Sequence, residues 1–155
     1  MLNSPQRDQA WIAAHVPHQG NMCLLNSVQA WDQFKLRCDA VSHRDLNNPL
    51  RAHGRLGAVC GIEYAAQAMA LHGALLAAND LATPRVGYLV SVRSATLHVA
   101  RLDDLAADLC IEVTCITSSS NNILYQFEVS ADGQSLLSGR AAVVLDASEL
   151  TKGDA

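Results

Sequence analysis

The sequence lacks the features of three common protein classes. It carries no excess of basic residues, since its formal net charge is -4 at pH 7 and its sequence pI is about 5.8. A nucleic-acid-binding protein needs a basic face to offset phosphate charge. No apolar stretch is long enough to span a membrane, and the opening residues MLNSPQRDQAW lack the basic-then-apolar order of a signal peptide. We therefore expect neither a nucleic acid nor a membrane among the partners.

Closely spaced metal-binding residues are also missing. The cysteines are odd in number, include no C-x-x-C pair and lie mostly among Leu, Val and Ile; they are Cys23, Cys38, Cys60, Cys110 and Cys115. This pattern favours reduced, buried thiols and a cytoplasmic location. HVPH is the only close histidine pair and a proline interrupts it, so we expect no metal site. Because a glycine-rich phosphate loop and a serine elbow are absent too, no cofactor is expected.

The periodicity of the remaining sequence predicts an α+β fold over a single domain, residues 1–155. A short helix is predicted around QAWIAAHV, a half-buried strand over residues 34–41, a loop over residues 42–54 and a long helix over residues 57–78. From residue 86 onward the pattern predicts a meander of four strands, with turns at residues 118–122 and at ADGQ. An antiparallel sheet wrapped around one long central helix is the hotdog fold, and this order of elements matches it.

The long helix contains a carboxylate and an amide one turn apart, Glu63 and Gln67, in an otherwise apolar, alanine-rich stretch. An ionised carboxylate in such surroundings is costly unless it is paired or has a task. A buried ion pair, for example with Arg55 or Arg93, is one explanation of Glu63, and catalysis is the other. Gln67 either orients Glu63 through a hydrogen bond at i, i+4 or satisfies a backbone group of a neighbouring strand.

Three segments resemble the β-hydroxyacyl-acyl-carrier-protein dehydratases of fatty acid synthesis. VPHQGNMCLLNSV resembles the opening motif of that family, GAVCGIEYAAQAMA its helix motif with Glu63 at the acidic position, and SVRSATLHVARLDDL a strand that follows. The stretches SHRD, NPLR, GRL and IEYAAQAM are more similar to a divergent branch of hotdog proteins found with aryl-polyene-type pathways. The resemblance covers about residues 16–146 and implies the hotdog fold and a dehydratase ancestry.

The resemblance also implies a catalytic pair, the helix acid and a histidine from the loop before the helix. Glu63 matches the acid. The loop NNPLRAHGRLG is shorter than that of the family and lacks its prolines, so His53 is the histidine that we assign as the base. The substrate-binding set that we predict is Gly61, Gln67, Cys60, His43 and Arg55. For Gly61, close approach of an acyl chain and simple helix–sheet packing stay open as alternatives.

The remaining candidates have weaker arguments. Unpaired amides in the first helical turn, around residues 58–61, are candidate donors to a thioester oxygen. His18 is expected to order the N-terminal turn, His72 to be a core histidine because it lies on the helix face opposite Glu63, and His98 to have no special role. Four arginines in one region, Arg37, Arg44, Arg51 and Arg55, form either solvated surface or a docking patch for an acidic partner.

Three hypotheses about function remain open. The first is a 3-hydroxyacyl-thioester dehydratase that eliminates water to give a trans-2-enoyl thioester. The second is an acyl thioesterase, because hotdog thioesterases also use a helix carboxylate. The third is a non-catalytic subunit that binds acyl chains or completes a heterodimer. The expected partners are an acyl carrier protein or a coenzyme A thioester and a second hotdog chain, in a homodimer or a heterodimer, since the resemblance places the active site at a dimer interface.

Overall fold

The computed structural model describes residues 7–16, 20–81 and 87–145. The helices are α1 (Gln9–His15) and α2 (Gly61–Ala78), and 3-10 turns lie at Gly20–Met22, Ser42–Arg44 and Ala58–Cys60. The strands are β1 (Ser27–Trp31), β2 (Lys35–Ala40), β3 (Gly87–Leu97), β4 (Leu109–Ser118), β5 (Asn122–Ala131) and β6 (Gln134–Leu145). The predicted elements are therefore present, although the α-helix begins at Gly61 because the residues before it form a 3-10 turn.

All six strands form one antiparallel sheet in the order β1-β2-β4-β5-β6-β3. The prediction of a four-strand meander is wrong for the connection from β3 to β4. These two strands are not neighbours, because β3 pairs with β6 at the sheet edge and β4 pairs with β2. The chain after β3 crosses below the start of α2, where Leu102 N donates to Leu56 O at 2.8 Å and Ala58 N donates to Ala100 O at 3.0 Å. This crossing carries β4 to the opposite side of the sheet.

Helix α2 packs on β2, β4 and β5, and the sheet wraps around it. Its sheet-facing side includes the small residues Ala65 and Ala68 beside Leu71 and Leu75, all four fully buried. Small side chains let the sheet approach the helix closely, which confirms the predicted hotdog architecture. None of the helices in the described residues is long and apolar enough to cross a membrane.

Both predicted hairpin turns are confirmed. At ADGQ, Asp132 and Gly133 have φ angles of 53° and 78°, the left-handed geometry that a two-residue hairpin requires. Between β4 and β5, Ser119 N donates to Asn122 O at 2.8 Å. All five cysteines are free thiols, but only Cys23 and Cys38 are buried, so the expectation of burial is wrong for the three half-buried ones.

Gly61 lies where α2 meets the sheet. A Cβ atom there would lie 2.5 Å from Cδ2 of Leu137, a fully buried residue of β6. Contacts this short require the core to shift. Helix–sheet packing therefore accounts for Gly61, and this geometry gives no support to its assignment as a substrate-binding residue.

The substitution Gly61→Ala is expected to lower the free energy of unfolding by about 1–3 kcal/mol, because the added methyl group overpacks the contact with Leu137. Gly73→Ala is the matched control, since a Cβ at Gly73 meets no atom within 4 Å. That control is expected to raise stability by up to about 1 kcal/mol through helix propensity. Urea unfolding of both variants measures the difference, and equal stabilisation by the two would contradict the packing argument.

Candidate functional site

Glu63 lies in the first turn of α2 and is half-buried. The side-chain amide of Gln67 donates from Nε2 to Glu63 Oε1 at 3.4 Å, a long and weak hydrogen bond. No ion pair joins Glu63 to Arg55 or Arg93 within the described residues, and both arginines are exposed. The ion-pair explanation of Glu63 with those partners is therefore wrong.

Gln67 is fully buried and bonds mainly to backbone. Its Oε1 accepts from Leu24 N at 2.9 Å, and its Nε2 donates to Met22 O at 2.7 Å. Both alternatives predicted for Gln67 are thus present, but the backbone bonds are the short ones. The amide fastens the segment before β1 to the helix and keeps its weaker contact with Glu63.

Tyr64 is a second polar anchor on α2 that the sequence analysis missed. It is fully buried, and its hydroxyl lies 2.8 Å from Ser42 Oγ and accepts from Asn48 Nδ2 at 3.0 Å. Because Ser42 Oγ donates to Leu24 O at 2.7 Å, the Tyr64 hydroxyl donates to Ser42. Burial raises the pKa of Tyr64, so the phenol keeps its proton. A tyrosine next to the acidic position, facing a loop rich in Ser and Asn, was the available signal.

Asp103 fixes the loop that leads into α2, and it too was missed. Its Oδ1 accepts from Leu56 N at 2.9 Å and from Arg101 Nε at 3.0 Å, and Arg51 lies 3.7 Å from Oδ2. The Arg101 guanidinium holds the pKa of the Asp103 carboxyl well below its usual range. The carboxylate joins the loop before α2, through Arg51 and Leu56, to the segment that follows β3. Its position in sequence, far from the loop, gave no sign of this role.

His53 lies at the tip of that loop, in the turn where Ala52 N donates to Arg55 O at 2.9 Å. Its φ angle is 55°, and both His53 and Arg55 are exposed. Further along, the Cys60 thiol donates to Leu50 O at 3.8 Å, so the same loop lies against the beginning of α2. Burial raises the pKa of the Cys60 thiol. The structure brings the loop of His53 to the helix and leaves its imidazole on the outer surface.

His43 is fully buried away from solvent. Its Nε2 lies 3.2 Å from Leu105 O and 3.0 Å from Ala107 O, and since carbonyls only accept, this nitrogen carries the proton. The other ring nitrogen, Nδ1, is buried and has no hydrogen-bond partner within the part of the chain that the structure describes. Burial lowers the pKa of His43, so the ring is neutral. In this position His43 holds the 105–107 loop, and its assignment to substrate binding remains a prediction.

The other histidines lie apart from Glu63 or outside the described residues. His72 is a fully buried core histidine, as predicted, with Nδ1 2.8 Å from the Tyr125 hydroxyl and Nε2 2.9 Å from Asp32 O. His98 is exposed. His18 lies outside the described residues, so its expected role in the N-terminal turn is not addressed.

The backbone amides before α2 are mostly used. Ala58 N donates to Ala100 O, Cys60 N to Gly57 O, and Gly61 N to the carbonyls of the preceding turn. The amide of Val59 has no backbone acceptor among the described residues, and the residue is 59% exposed. The expectation that residues 58–61 offer several free donors is therefore reduced to one amide at the start of the helix.

Of the four arginines that lie close together in the sequence, two form ion pairs with carboxylates. Arg44 pairs with Asp108 at 2.7 Å, and Arg51 with Asp103 at 3.7 Å. Arg37 and Arg55 are exposed. The predicted docking patch is therefore smaller than the sequence indicated. Among the described residues, no three His, Cys, Asp or Glu side chains are grouped so as to hold a metal ion.

The substitution Gln67→Ala is expected to lower the free energy of unfolding by about 2–3 kcal/mol, because Leu24 N and Met22 O each lose a buried partner. Chemical denaturation measures the loss. Gln126→Ala is the control, since Gln126 is exposed on β5 and its removal is expected to change stability by at most about 0.5 kcal/mol. Similar effects of both substitutions would show that the amide does not anchor the segment.

Stability is expected to fall as the pH is lowered from 8 to 5. Burial lowers the pKa values of His43 and His72 from the ordinary 6.5, so the unfolded chain takes up protons that the folded chain does not. Below about pH 3.8, the ordinary value for Asp103, its depressed pKa adds a further loss. Denaturation of His43→Gln across this range is expected to show a weaker pH dependence, whereas His98→Gln retains that of the unsubstituted protein.

Comparisons with solved structures place this fold among hotdog proteins. A chain of the dehydratase heterocomplex ApeI:P from Xenorhabdus doucetiae superposes with a TM-score of 0.78 at 22% identity, covering 91% of this chain and 95% of that one. A thioesterase variant, PA1618 from Pseudomonas aeruginosa, gives 0.59 at 14% identity, with 92% and 96% covered. The thioesterase HI1161 from Haemophilus influenzae gives 0.57 at 13% identity, with 76% of each chain covered. These likenesses show the fold.

The family of the chain is shown by comparison of its sequence. A search of curated protein sequences finds no match. A family profile described as ApeP dehydratase matches residues 10–152, which include α2 with Glu63 and Gln67 as well as the loops that Gln67, Tyr64 and Asp103 hold in place. The chain therefore belongs to the ApeP-like dehydratase family.

Proposed function

We propose that the protein is a dehydratase that eliminates water from a 3-hydroxyacyl thioester to give the trans-2-enoyl thioester, with Glu63 as its acid. The observation that carries this proposal is the position of Glu63, half-buried in the first turn of α2 and contacted by an amide that is itself locked to backbone. Membership in a dehydratase family supports the reaction type.

The reaction needs two proton transfers. A base removes the proton next to the thioester carbonyl, and the electrons of that C–H bond form an enolate whose charge lies on the thioester oxygen. The carbonyl then re-forms, the carbon–carbon double bond is made, and the hydroxyl leaves as water with the proton that Glu63 supplies. The base and Glu63 exchange protons with solvent before the next turnover. The amide of Val59, at the positive end of the helix, is the proposed donor to the enolate oxygen.

His53 is the base in this proposal. Because His53 is at the exposed tip of its loop, the base of one chain is available to a second hotdog chain rather than to its own core. The active site is therefore proposed to be shared across a dimer. An acyl carrier protein or coenzyme A carries the thioester, and Arg55, beside His53 and exposed, contacts that carrier. The free thiols support a cytoplasmic location for this chemistry.

A second candidate function is that of a partner subunit. The exposed position of His53 favours it, since a histidine without a fixed orientation is a poor base, and a related fold is found in the dehydratase heterocomplex of Xenorhabdus doucetiae. In this case the chain contributes Glu63 or a binding surface to a site completed by a different hotdog chain.

The first test is turnover of a 3-hydroxyacyl carrier protein by the purified chain, followed by mass spectrometry. Glu63→Gln is expected to reduce the rate by at least about a hundredfold, because the amide keeps the shape of the side chain and cannot supply the proton. Glu128→Gln, which changes an exposed carboxylate on β5, is the control and is expected to retain the rate. Release of a free thiol instead of an enoyl product would select the thioesterase hypothesis.

The second test separates the enzyme from the partner subunit. The dehydratase proposal expects turnover by the chain alone and a strong loss in His53→Ala. If the chain alone is inactive and turnover appears only when a second hotdog chain is co-expressed with it, the partner-subunit function is selected. Retention of full activity in Glu63→Gln, in either assembly, would contradict both assignments of Glu63.

A further inference from the structure

A cavity of about 400 Å³ lies at the C-terminal end of α2, between the helix and the inner face of the sheet. Leu76 and Leu81 border it from the helix end, Phe34 from the β1–β2 turn, and Ile123 and Leu145 from β5 and β6. The volume is within the range of about 300–1,000 Å³ found for small-molecule sites. The side chains that α2, β5 and β6 contribute here are mainly apolar, and the volume is large enough for a small ligand.

This cavity is separate from the candidate active site. His72 lines it, and His72 follows Glu63 by nine residues, which at about 100° per residue places the two on opposite sides of α2. Glu63 is in the first turn, whereas Leu76 is in the last. A ligand in this cavity would therefore leave Glu63 and the loop of His53 untouched.

The cavity contains no charged side chain among the described residues that line it. His72 is held neutral, because its Nε2 donates to Asp32 O at 2.9 Å and its Nδ1 accepts from the Tyr125 hydroxyl at 2.8 Å. Burial also lowers the pKa of His72. With both ring nitrogens bonded inside the protein and no Lys or Arg among the described lining residues, an anionic head would gain no ion pair here and would lose part of its hydration, so ionised ligands are disfavoured.

The mouth of the cavity has a different composition. Ser118, Ser119 and Ser120 border it from the β4–β5 turn, and all three are exposed. Hydroxyls at the entrance and hydrocarbon inside suit a molecule with a small polar head and an apolar body. The entrance thus sets the orientation of a ligand, with its head at the serines.

We propose that this cavity is a second binding site, for an uncharged amphiphile whose apolar body of about a medium-length alkyl chain or one phenyl ring lies against Leu76, Ile123 and Leu145 and whose hydroxyl-sized head lies at the serine turn. The site is independent of the dehydratase proposal, since it shares no residue with the candidate active site.

The half-buried thiol of Cys115, which lines the cavity, allows a direct test. The full chain is alkylated with N-ethylmaleimide with and without 1-octanol, and each cysteine is quantified by mass spectrometry. Octanol is expected to slow modification of Cys115 at least threefold. Cys110, which is also half-buried but does not line the cavity, is the internal control and is expected to react at an unchanged rate. Octanoate is expected to protect Cys115 at least tenfold less.

Substitutions test whether octanol binds in this cavity. Ile123→Trp fills the cavity and is expected to abolish protection by octanol, whereas Ile116→Trp, an exposed residue on β4 that does not line the cavity, is the matched control. If Ile123→Trp does not fold, Ser119→Trp blocks the entrance from an exposed turn. Glu63→Gln is expected to leave protection intact.

Three results would overturn the proposal. One is the absence of Cys115 protection up to the solubility limit of octanol. Another is equal protection by octanoate, which would show that charge is not excluded. The last is loss of protection in Glu63→Gln together with protection in Ile123→Trp, which would place the ligand at the candidate active site.

Discussion

The buried amide of Gln67 is the interaction on which the candidate site depends. An amide that is shut off from water has to find hydrogen-bond partners inside the protein, and Gln67 finds them on the backbone of Met22 and Leu24. Tyr64, three residues earlier, reaches the same segment through Ser42, which bonds to Leu24 O. One face of a largely apolar helix thereby fixes two loops. Glu63 directly precedes Tyr64 and lies four residues before Gln67, so it is carried by the part of the helix that these two residues anchor.

The architecture was predictable because it follows from patterns that local sequence carries. Alternation predicted β2, the Asp132-Gly133 pair predicted a hairpin, and the alanine-rich stretch predicted a helix that a sheet can enclose. The position of β3 was not predictable in the same way. Strand pairing there depends on the path of residues 98–108 below α2, and backbone bonds such as that from Leu102 to Leu56 have no signature in the side chains.

The polar residues of α2 could be picked out from the sequence, but the residues that hold the neighbouring loops in place could not. Glu63 and Gln67 stood out because polar side chains interrupt an apolar helix. Asp103 did not, since an aspartate in a turn is ordinary and its bonds to Leu56 and Arg101 arise only when distant segments meet. The hydrogen bonds of His43 were not predictable either, because its ring bonds to two carbonyls of the distant 105–107 loop. Its assignment to substrate binding remains a prediction.

The polar side chains on the two sides of α2 are hydrogen-bonded differently, and this difference bears on function. On the side of His72 both ring nitrogens are bonded within the core, so the histidine can be buried without a charge and without solvent. On the side of Glu63 the carboxylate is half-buried, and the hydrogen bond that it accepts from Gln67 is long, at 3.4 Å. The amide that makes this bond is itself fixed by short bonds to the backbone of Met22 and Leu24, so the helix turn next to the carboxylate is held in place. The carboxylate is therefore accessible at a fixed position, whereas the histidine on the opposite side of α2 is enclosed in the core.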